Sequence, residues 1–442
     1  MSDPKNNKPK IVVIGGGFAG IEFIKTLSNK EVDITLIDKH NYHTFQPLLY
    51  QVASGGLGAD SIGYPFRLIF RHQKNIRFRL AEVKSIDTVN NFVETNIGTI
   101  QYNYLVIATG STTNYFGNAN IEKWSMPMKS IPDALDLRSD ILQEFEYAHN
   151  KTEEIDRKRH MTFMVVGGGP TGVETAGALA EFQKFVLPHD YPELDNNLMK
   201  VYLVEAGPRL LSGMSEKSSE KVKKYLENFG VEVLLNTAVT DYDGKKAKLN
   251  NEQEFDTSTV IWSAGVKGML IPGIDNKSVA GGRYQVDEFN RIKGYENIYC
   301  LGDAASMVSD KYPRGHPMVA PVAVQQAGNL AKNFIRLFSQ KPIQAFRYKD
   351  KGSMATVGRN KAVVDLPYGH FGGFFAWLVW MFLHLMLLVG FRNRVVVFID
   401  WLWNYLSYER GLRLIVRSFD ANQKSKNLAN QNLEWGILSN TN

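Results

Sequence analysis

Apolar residues gather in short runs, and two of these runs are followed by one glycine spacing. Ile11-Val12-Val13-Ile14 leads into Gly15-Gly16-Gly17-Phe18-Ala19-Gly20, and Phe163-Met164-Val165-Val166 leads into Gly167-Gly168-Gly169-Pro170-Thr171-Gly172. An unbroken apolar run of this length predicts a strand buried on both faces, and the pattern after each glycine cluster turns helical, as in Ile21 to Leu27. The two units then continue in one order. Each has a strand ending on an acid (Val32 to Asp38, Met199 to Glu205) and later a strand broken by glycine (Tyr104 to Gly110, Thr259 to Gly265). This is an internal repeat. Glu205 lies farther from its glycines than Asp38 does, which reads as an insertion, Gln183 to Asn197, in the second crossover. Ile76 to Ile100 alternates β-like runs with polar turns, and Ile131 to Arg159 reads as a charged helical stretch. A further strand at Asn297 to Leu301, then Gly302-Asp303 and an apolar helix from Val319 to Phe338, predicts a return that completes the first unit, with the second inserted in it. From Leu366 to Phe391 there is no charged residue, and Phe371 to Val389 is almost wholly apolar, near the length needed to cross a bilayer.

The glycine spacing is the G-x-G-x-x-G dinucleotide fingerprint in its required strand-to-helix setting. In it Gly15 and Gly167 make the turn, Gly17 and Gly169 admit a pyrophosphate, and Gly20 and Gly172 let helix pack on strand. Two fingerprints imply two dinucleotides, and a protein holding two side by side moves electrons between them. Asp38 and Glu205 stand where a ribose hydroxyl is bound, and both repel a 2′-phosphate, so NAD is favoured over NADP; Arg209 is the residue placed to offset that charge. Asp303 is suited to a ribityl or phosphate-bridging hydroxyl. Glu174, just past the second fingerprint in the first turn of its helix, is placed to orient a nicotinamide or relay protons. In the Gln325-Gln326 pair an amide is available for a carbonyl.

With 442 residues, 44% hydrophobic and 22% charged, the chain is globular with room for two or three domains. A net charge of +6 suits anionic cofactors or an anionic membrane surface and is too diffuse to imply nucleic acid. The one cysteine, Cys300, excludes an intrachain disulfide, a thiol relay and a thiolate-rich metal site, so redox chemistry belongs to bound cofactors and no metal site is expected. A polar Met1 to Lys10 carries neither a signal nor a transit peptide, so the protein is expected to stay where it is made, in a bacterium rather than an organelle. Arg392 and Arg394 bound the apolar run, and Trp401, Trp403, Tyr405 and Tyr408 then share a segment with Arg410, Arg413 and Arg417, a composition that suits the membrane–water interface.

These residues resemble the type II NADH dehydrogenases, single-subunit NADH:quinone oxidoreductases that pump no protons. The likeness runs from about Pro9 to Phe419 and rests on Thr44 to Ala53 (TFQPLLYQVA), Leu105 to Gly110, Gly167 to Glu174, Leu301-Gly302-Asp303, Lys351 to Arg359 (KGSMATVGR) and Gly390 to Arg394 (GFRNR). The last two are not shared with flavin disulfide reductases at large. The resemblance implies an α/β fold of two Rossmann-type, three-layer ββα domains, the NAD domain inserted in the FAD domain, with a C-terminal α-helical membrane-association segment. Its divisions are expected at residues 1–125 and 276–350 (FAD), 126–275 (NADH), 351–419 (membrane anchor) and 420–442 (polar tail). It implies FAD held by Gly15, Gly17, Gly20, Asp38, Lys39, Thr109, Gly110, Gly302 and Asp303, and NADH held by Gly167, Gly169, Gly172, Glu205 and Gly265. Glu174 and Gln325 are then the catalytic candidates, for nicotinamide–quinone communication and quinone contact. The family's quinone-side helix carries a glutamine where this chain has Pro321, which removes an amide and an N–H donor. The expected partners are a membrane quinone, the lipid bilayer surface and a second copy in a homodimer, with the protein on the cytoplasmic side of the inner membrane. Sulfide:quinone oxidoreductases and disulfide reductases need a cysteine pair, which this chain lacks. A slow NAD-sensing flavoprotein is the alternative from another class, and another FAD-dependent quinone reductase the alternative within the same one.

Overall fold

The computed structural model describes residues 8–407, 412–415 and 419. Tyr408, Arg410, Arg417 and the tail at 420–442 lie outside the described residues. The first apolar run is the strand Lys10–Ile14, at the centre of a five-stranded parallel sheet ordered Ile298–Cys300, Tyr104–Ile107, Lys10–Ile14, Asp33–Asp38, Ile76–Leu80. Its side chains are buried on both faces, which is why the run shows no alternation. On one face lie the helices Phe18–Thr26 and Ala320–Phe338, where Phe23 meets Phe334 edge to face at 5.4 Å. An antiparallel sheet (Val83–Asp87, Phe92–Thr95, Gly98–Gln101) covers the other through Ile86 and Val93, giving three layers.

The second run builds a matching sheet, ordered Met126–Pro127, Thr259–Trp262, Thr162–Val166, Lys200–Val204, Val231–Leu234, with its own three-stranded cover from Val239 to Asp256. The chain enters this unit after Ser111–Thr113 and leaves it through Val266–Gly268, and those two segments pair antiparallel across the junction. Ile298–Cys300 then rejoins the first sheet beside Tyr104–Ile107. The charged stretch expected over Ile131 to Arg159 is two helices. Ile131–His149 starts on a Ser130/Asp133 capping box, and after Asn150 a second helix runs Glu154–His160. The insertion expected at Gln183 is still helix at its start, since Pro170–Phe185 is continuous and a single turn, Leu187–Asp190, follows.

The apolar run at Phe371 to Val389 departs most from its sequence reading. Its first residues form the strand Gly369–Gly373 against Ala362–Leu366, completing a sheet with Ser353–Thr356. Gly373, at φ +98°, turns the chain into a helix of only 14 residues, Phe374–Leu387, about 21 Å long against a hydrocarbon thickness of about 30 Å. Among the described residues no helix is long and apolar enough to cross a membrane. A turn at Gly390, where a methyl group would meet the Tyr64 ring at 2.4 Å, leads into a second helix, Phe391–Ser407. Each of the two helices is buried along one stripe only. Ala376 and Trp380 from the first, and Val397 and Trp401 from the second, join the core around Leu49, Tyr50, Val173 and Leu179. The opposite stripes stay in the open, with Phe382 at 67% and Phe391 at 80% exposure.

Candidate functional site

At the first fingerprint the three glycines serve different ends. A methyl group on Gly15, which sits at φ +101°, would lie 2.3 Å from the Ala108 carbonyl, and one on Gly20 would lie 2.0 Å from the Gly15 carbonyl. Packing therefore demands both. Gly17 has nothing within 4 Å of that position, so no protein contact demands it; the open space above it is where a pyrophosphate fits. The helix that follows has no side-chain cap, leaving its first N–H groups aimed at that space. Asp38 accepts from the Gly16 N–H at 2.7 Å and the His40 N–H at 2.8 Å. Burial raises its pKa, and the two N–H groups oppose the rise. Lys39 is exposed beside it.

Two residues outside the consensus brace this loop. Gly16 has no room for a side chain, since a methyl group there would meet the buried Phe66 ring at 2.1 Å. The His43 Nδ1–H donates to the Gly16 carbonyl at 3.1 Å, which fixes the tautomer because a carbonyl only accepts. Burial lowers the pKa of His43 to about 4, so it stays neutral. A run of three glycines hints at Gly16; His43 gives no signal in the sequence.

Asp303 opens on the same cleft from the return segment, in the turn Gly302–Ala304, and accepts from the Ser111 hydroxyl at 2.6 Å. Gly302 holds φ +69° and its N–H donates to the Gln326 amide oxygen at 2.8 Å. Gln326 is 1% exposed, whereas both ends of the Gln325 amide are bonded to the Lys349 backbone, at 2.9 and 3.0 Å. Of the glutamine pair, Gln326 reaches the turn that bears Asp303. Gln325 clasps the segment leading to the C-terminal sheet, so its amide is not directed at a ligand. Pro321 falls within the first two residues of its helix, where an N–H has no partner in the helix, so the expected loss of a donor carries no cost. The Thr109 hydroxyl is occupied by the Met269 carbonyl at 2.6 Å, leaving its backbone for ligand contact, and Gly110 at φ +72° has open space around it.

The second fingerprint reproduces the first. Gly167 at φ +108° and Gly172 are dictated by packing against Ala264 and the Gly167 carbonyl, and Gly169 faces open space at an uncapped helix start. Glu205 accepts from the Gly168 and Gly207 N–H groups, each at 2.6 Å. Gly168, like Gly16, is a consensus "x" with no room, because a methyl group would press on Leu210 and Glu205. The Arg209 guanidinium donates to the Ser212 and Met214 carbonyls. Gly265, at φ +75°, lies against the Phe116 ring, where the two domain connections meet.

Glu174 is the fifth residue of its helix, past the first turn, so the helix dipole is not its chief influence. It points into the C-terminal sheet and is buried, accepting from the Thr356 N–H at 3.4 Å. Burial raises its pKa to about 8 against the smaller opposing pull of Thr356 and the Trp380 indole, so the acid carries its proton at neutral pH. Nearby, a cavity of about 90 Å³ lies between the Tyr50-Gln51 segment, the second fingerprint helix and both C-terminal helices, with Glu181, Arg359, Trp377 and Tyr405 in its wall. Trp380 and Arg359 carry no single-residue signature; only folding brings them beside Glu174 and Glu181. Cys300 is buried and its thiol is pushed far up by that burial, so it takes no part. Among the described residues no His, Cys, Asp or Glu cluster is arranged to hold a metal.

Comparison with known proteins adds a second line of evidence. Residues 9–327 match the family model described as pyridine nucleotide-disulphide oxidoreductase, and residues 351–408 match the NDH2 C-terminal domain. The type II NADH:quinone oxidoreductase NdhA of Mycobacterium tuberculosis is 38% identical over 423 residues, 91% of this chain and 88% of that protein. A type II NADH:quinone oxidoreductase of Staphylococcus aureus is 30% identical, with 81% of this chain and 89% of that protein covered. The structure of NDH2 from Plasmodium falciparum in complex with NADH superposes with a TM-score of 0.87 at 23% identity, covering 93% of this chain and all of that one.

Proposed function

Because the chain belongs to the type II NADH:quinone oxidoreductase family, we propose that its two fingerprints divide the work between FAD at the first and NADH at the second. The protein is a membrane-associated NADH:quinone oxidoreductase that uses a flavin and NADH and passes electrons to a quinone. The observation that carries two dinucleotide sites is the repeated brace, and the return of the chain through Ile298–Cys300 and the Asp303 turn to the first sheet sets the first apart. Asp38 holds the Gly16 N–H and Glu205 holds the Gly168 N–H in the same way, each beneath a glycine facing open space, on two sheets joined by paired connections.

When bound, the flavin supplies hydride acceptance and two-electron release. What the chain supplies is placement. Gly15, Gly17 and Gly20 with Asp38 and Lys39 seat the adenosine half of FAD, and Thr109, Gly110, Gly302 and Asp303 extend the cleft toward the ring. Gly167, Gly169, Gly172, Glu205 and Gly265 seat NADH. Glu205 repels a 2′-phosphate and so favours the unphosphorylated ribose. Glu174, protonated at neutral pH, holds a proton near the nicotinamide side of the site, ready for the reduced acceptor. Gln326 sets the turn bearing Asp303, and Gln325 ties the same helix to the Lys349 segment.

The C-terminal helices are the lipid-facing surface in this reading. Their outer stripes, including Phe375, Phe382, Phe398 and Trp403, are more than half exposed, and a contiguous apolar face of this kind marks a membrane or partner contact. Neither helix spans, so the attachment is to one leaflet, on the cytoplasmic side of the inner membrane. The neighbouring cavity then gives the quinone a route from lipid toward Glu174. A homodimer fits the same reading.

An anaerobic stopped-flow trace tests the assignment. NADH should bleach the flavin absorbance and a short-chain quinone should restore it. Bleaching without recovery would favour a slow NAD-sensing flavoprotein.

A further inference from the structure

Trp380 lies on the first C-terminal helix, at 1% exposure, and its indole N–H faces the Glu174 carboxyl without forming a hydrogen bond of good geometry there or to any other described group. A buried donor in that state is unusual and calls for a reason. The ring cannot turn away. It stacks on His384 at 4.0 Å, abuts Tyr50 and Trp401 at 6.5 and 6.0 Å between ring centres, and Trp401 is itself fixed by its indole N–H on the Gln51 amide oxygen at 2.7 Å. The His384 Nδ1–H donates to the Trp380 carbonyl at 2.8 Å, and burial lowers the pKa of His384 to about 4, so the ring behind the tryptophan is neutral. Among the described residues no other charged group acts on the carboxyl. The Leu49–Ala53 helix and the Ser353–Thr356 strand contain none, and Glu181 on the same helix is turned to the Arg359 N–H.

We propose that Trp380 is a positioning residue for Glu174: its locked indole N–H, short of a full hydrogen bond to the neutral acid, closes on the carboxylate that forms when Glu174 gives up its proton. The membrane-facing helix pair is thereby part of the proton-handling site and not only an anchor. This rests on the reading of Glu174 as the proton-holding group. In each proton cycle Glu174 releases one proton to the reduced acceptor and recovers one from solvent, and the Trp380 N–H bond tightens in between with no net transfer from the indole.

The experiment uses the full-length holoprotein. Trp380→Phe keeps the ring and removes the N–H. The alkaline limb of its pH–rate profile should move up by about one pH unit, since a lost hydrogen bond to the charged form favours the protonated one, with KM for NADH and flavin content unchanged. A limb that does not move overturns the proposal. Should Trp380→Phe fail to fold, the unsubstituted protein answers through nuclear magnetic resonance with tryptophan labelled at the indole nitrogen. Of the chain's seven tryptophans, one N–H resonance should shift as Glu174 titrates, and the shift should vanish in Glu174→Gln. Seven pH-invariant resonances overturn the proposal. If Glu174→Gln turns over at the full rate, the underlying reading of Glu174 fails instead.

Discussion

Glu174→Gln offers a test in which activity and stability must change together. The carboxyl is displaced from an ordinary 4.5 to about 8 because burial penalises its charged form. At about 1.4 kcal/mol for each tenfold change in protonation ratio, the displacement corresponds to roughly 5 kcal/mol against the carboxylate. Glutamine has the same shape and no acidic proton. If the proton serves turnover, kcat should fall by about 10²- to 10⁴-fold, as loss of a general acid implies, and the wild-type decline above pH 8 should be missing from the residual rate. The stability effect has a fixed sign. A carboxyl whose folded pKa is raised gives stability that is full below its unfolded value near 4.5 and lost as pH climbs through about 8. Relative to the Gln variant, the wild type should therefore lose Tm steadily across that window and level off above it. Calorimetry at a series of pH values, beside quinone-reduction rates on the same samples, reads both. Parallel Tm curves for the two proteins would show that the carboxyl is not forced neutral by burial, and the reasoning would fail with them.

Gly16→Ala places a methyl group 2.1 Å from the buried Phe66 ring, so the variant should lose about 1–3 kcal/mol of stability through overpacking and most of its flavin; a fully yellow product would refute this. Glu205→Ala removes the acceptor of two 2.6 Å backbone bonds. It should narrow the NADH-over-NADPH preference by about tenfold, the weight of one charge-assisted hydrogen bond, and an unchanged preference in kcat/KM would place discrimination elsewhere. Phe382→Glu combined with Phe398→Glu puts charge on the exposed stripes of both C-terminal helices. The protein should leave vesicles on flotation while its rate with a water-soluble quinone stays within about twofold, as expected for surface changes far from packing features; retention on the vesicles would contradict the lipid-facing assignment.

The repeat, both fingerprints, the acid-terminated strands and the parallel sheets were legible along the chain, because each rests on local spacing. A strand buried on both faces must be apolar throughout, a tight turn against a neighbouring carbonyl needs glycine, and a ribose position needs an acid at the end of the next strand. The family resemblance was also in the sequence, carried by motifs such as KGSMATVGR and GFRNR. Folding decided what depended on residues far apart. Phe371 to Val389 reads as one apolar run, yet strand pairing with Ala362–Leu366 takes its first residues and leaves a helix too short to span. Gln325 and Gln326 are neighbours in sequence, but helix geometry sends one to Lys349 and the other to Gly302. Glu174 looked like a first-turn acid favoured as an anion. Its neutral state comes from burial, which outweighs the opposing pull of the Thr356 N–H and the Trp380 indole, and burial by segments so distant in the chain is a property that no local window records.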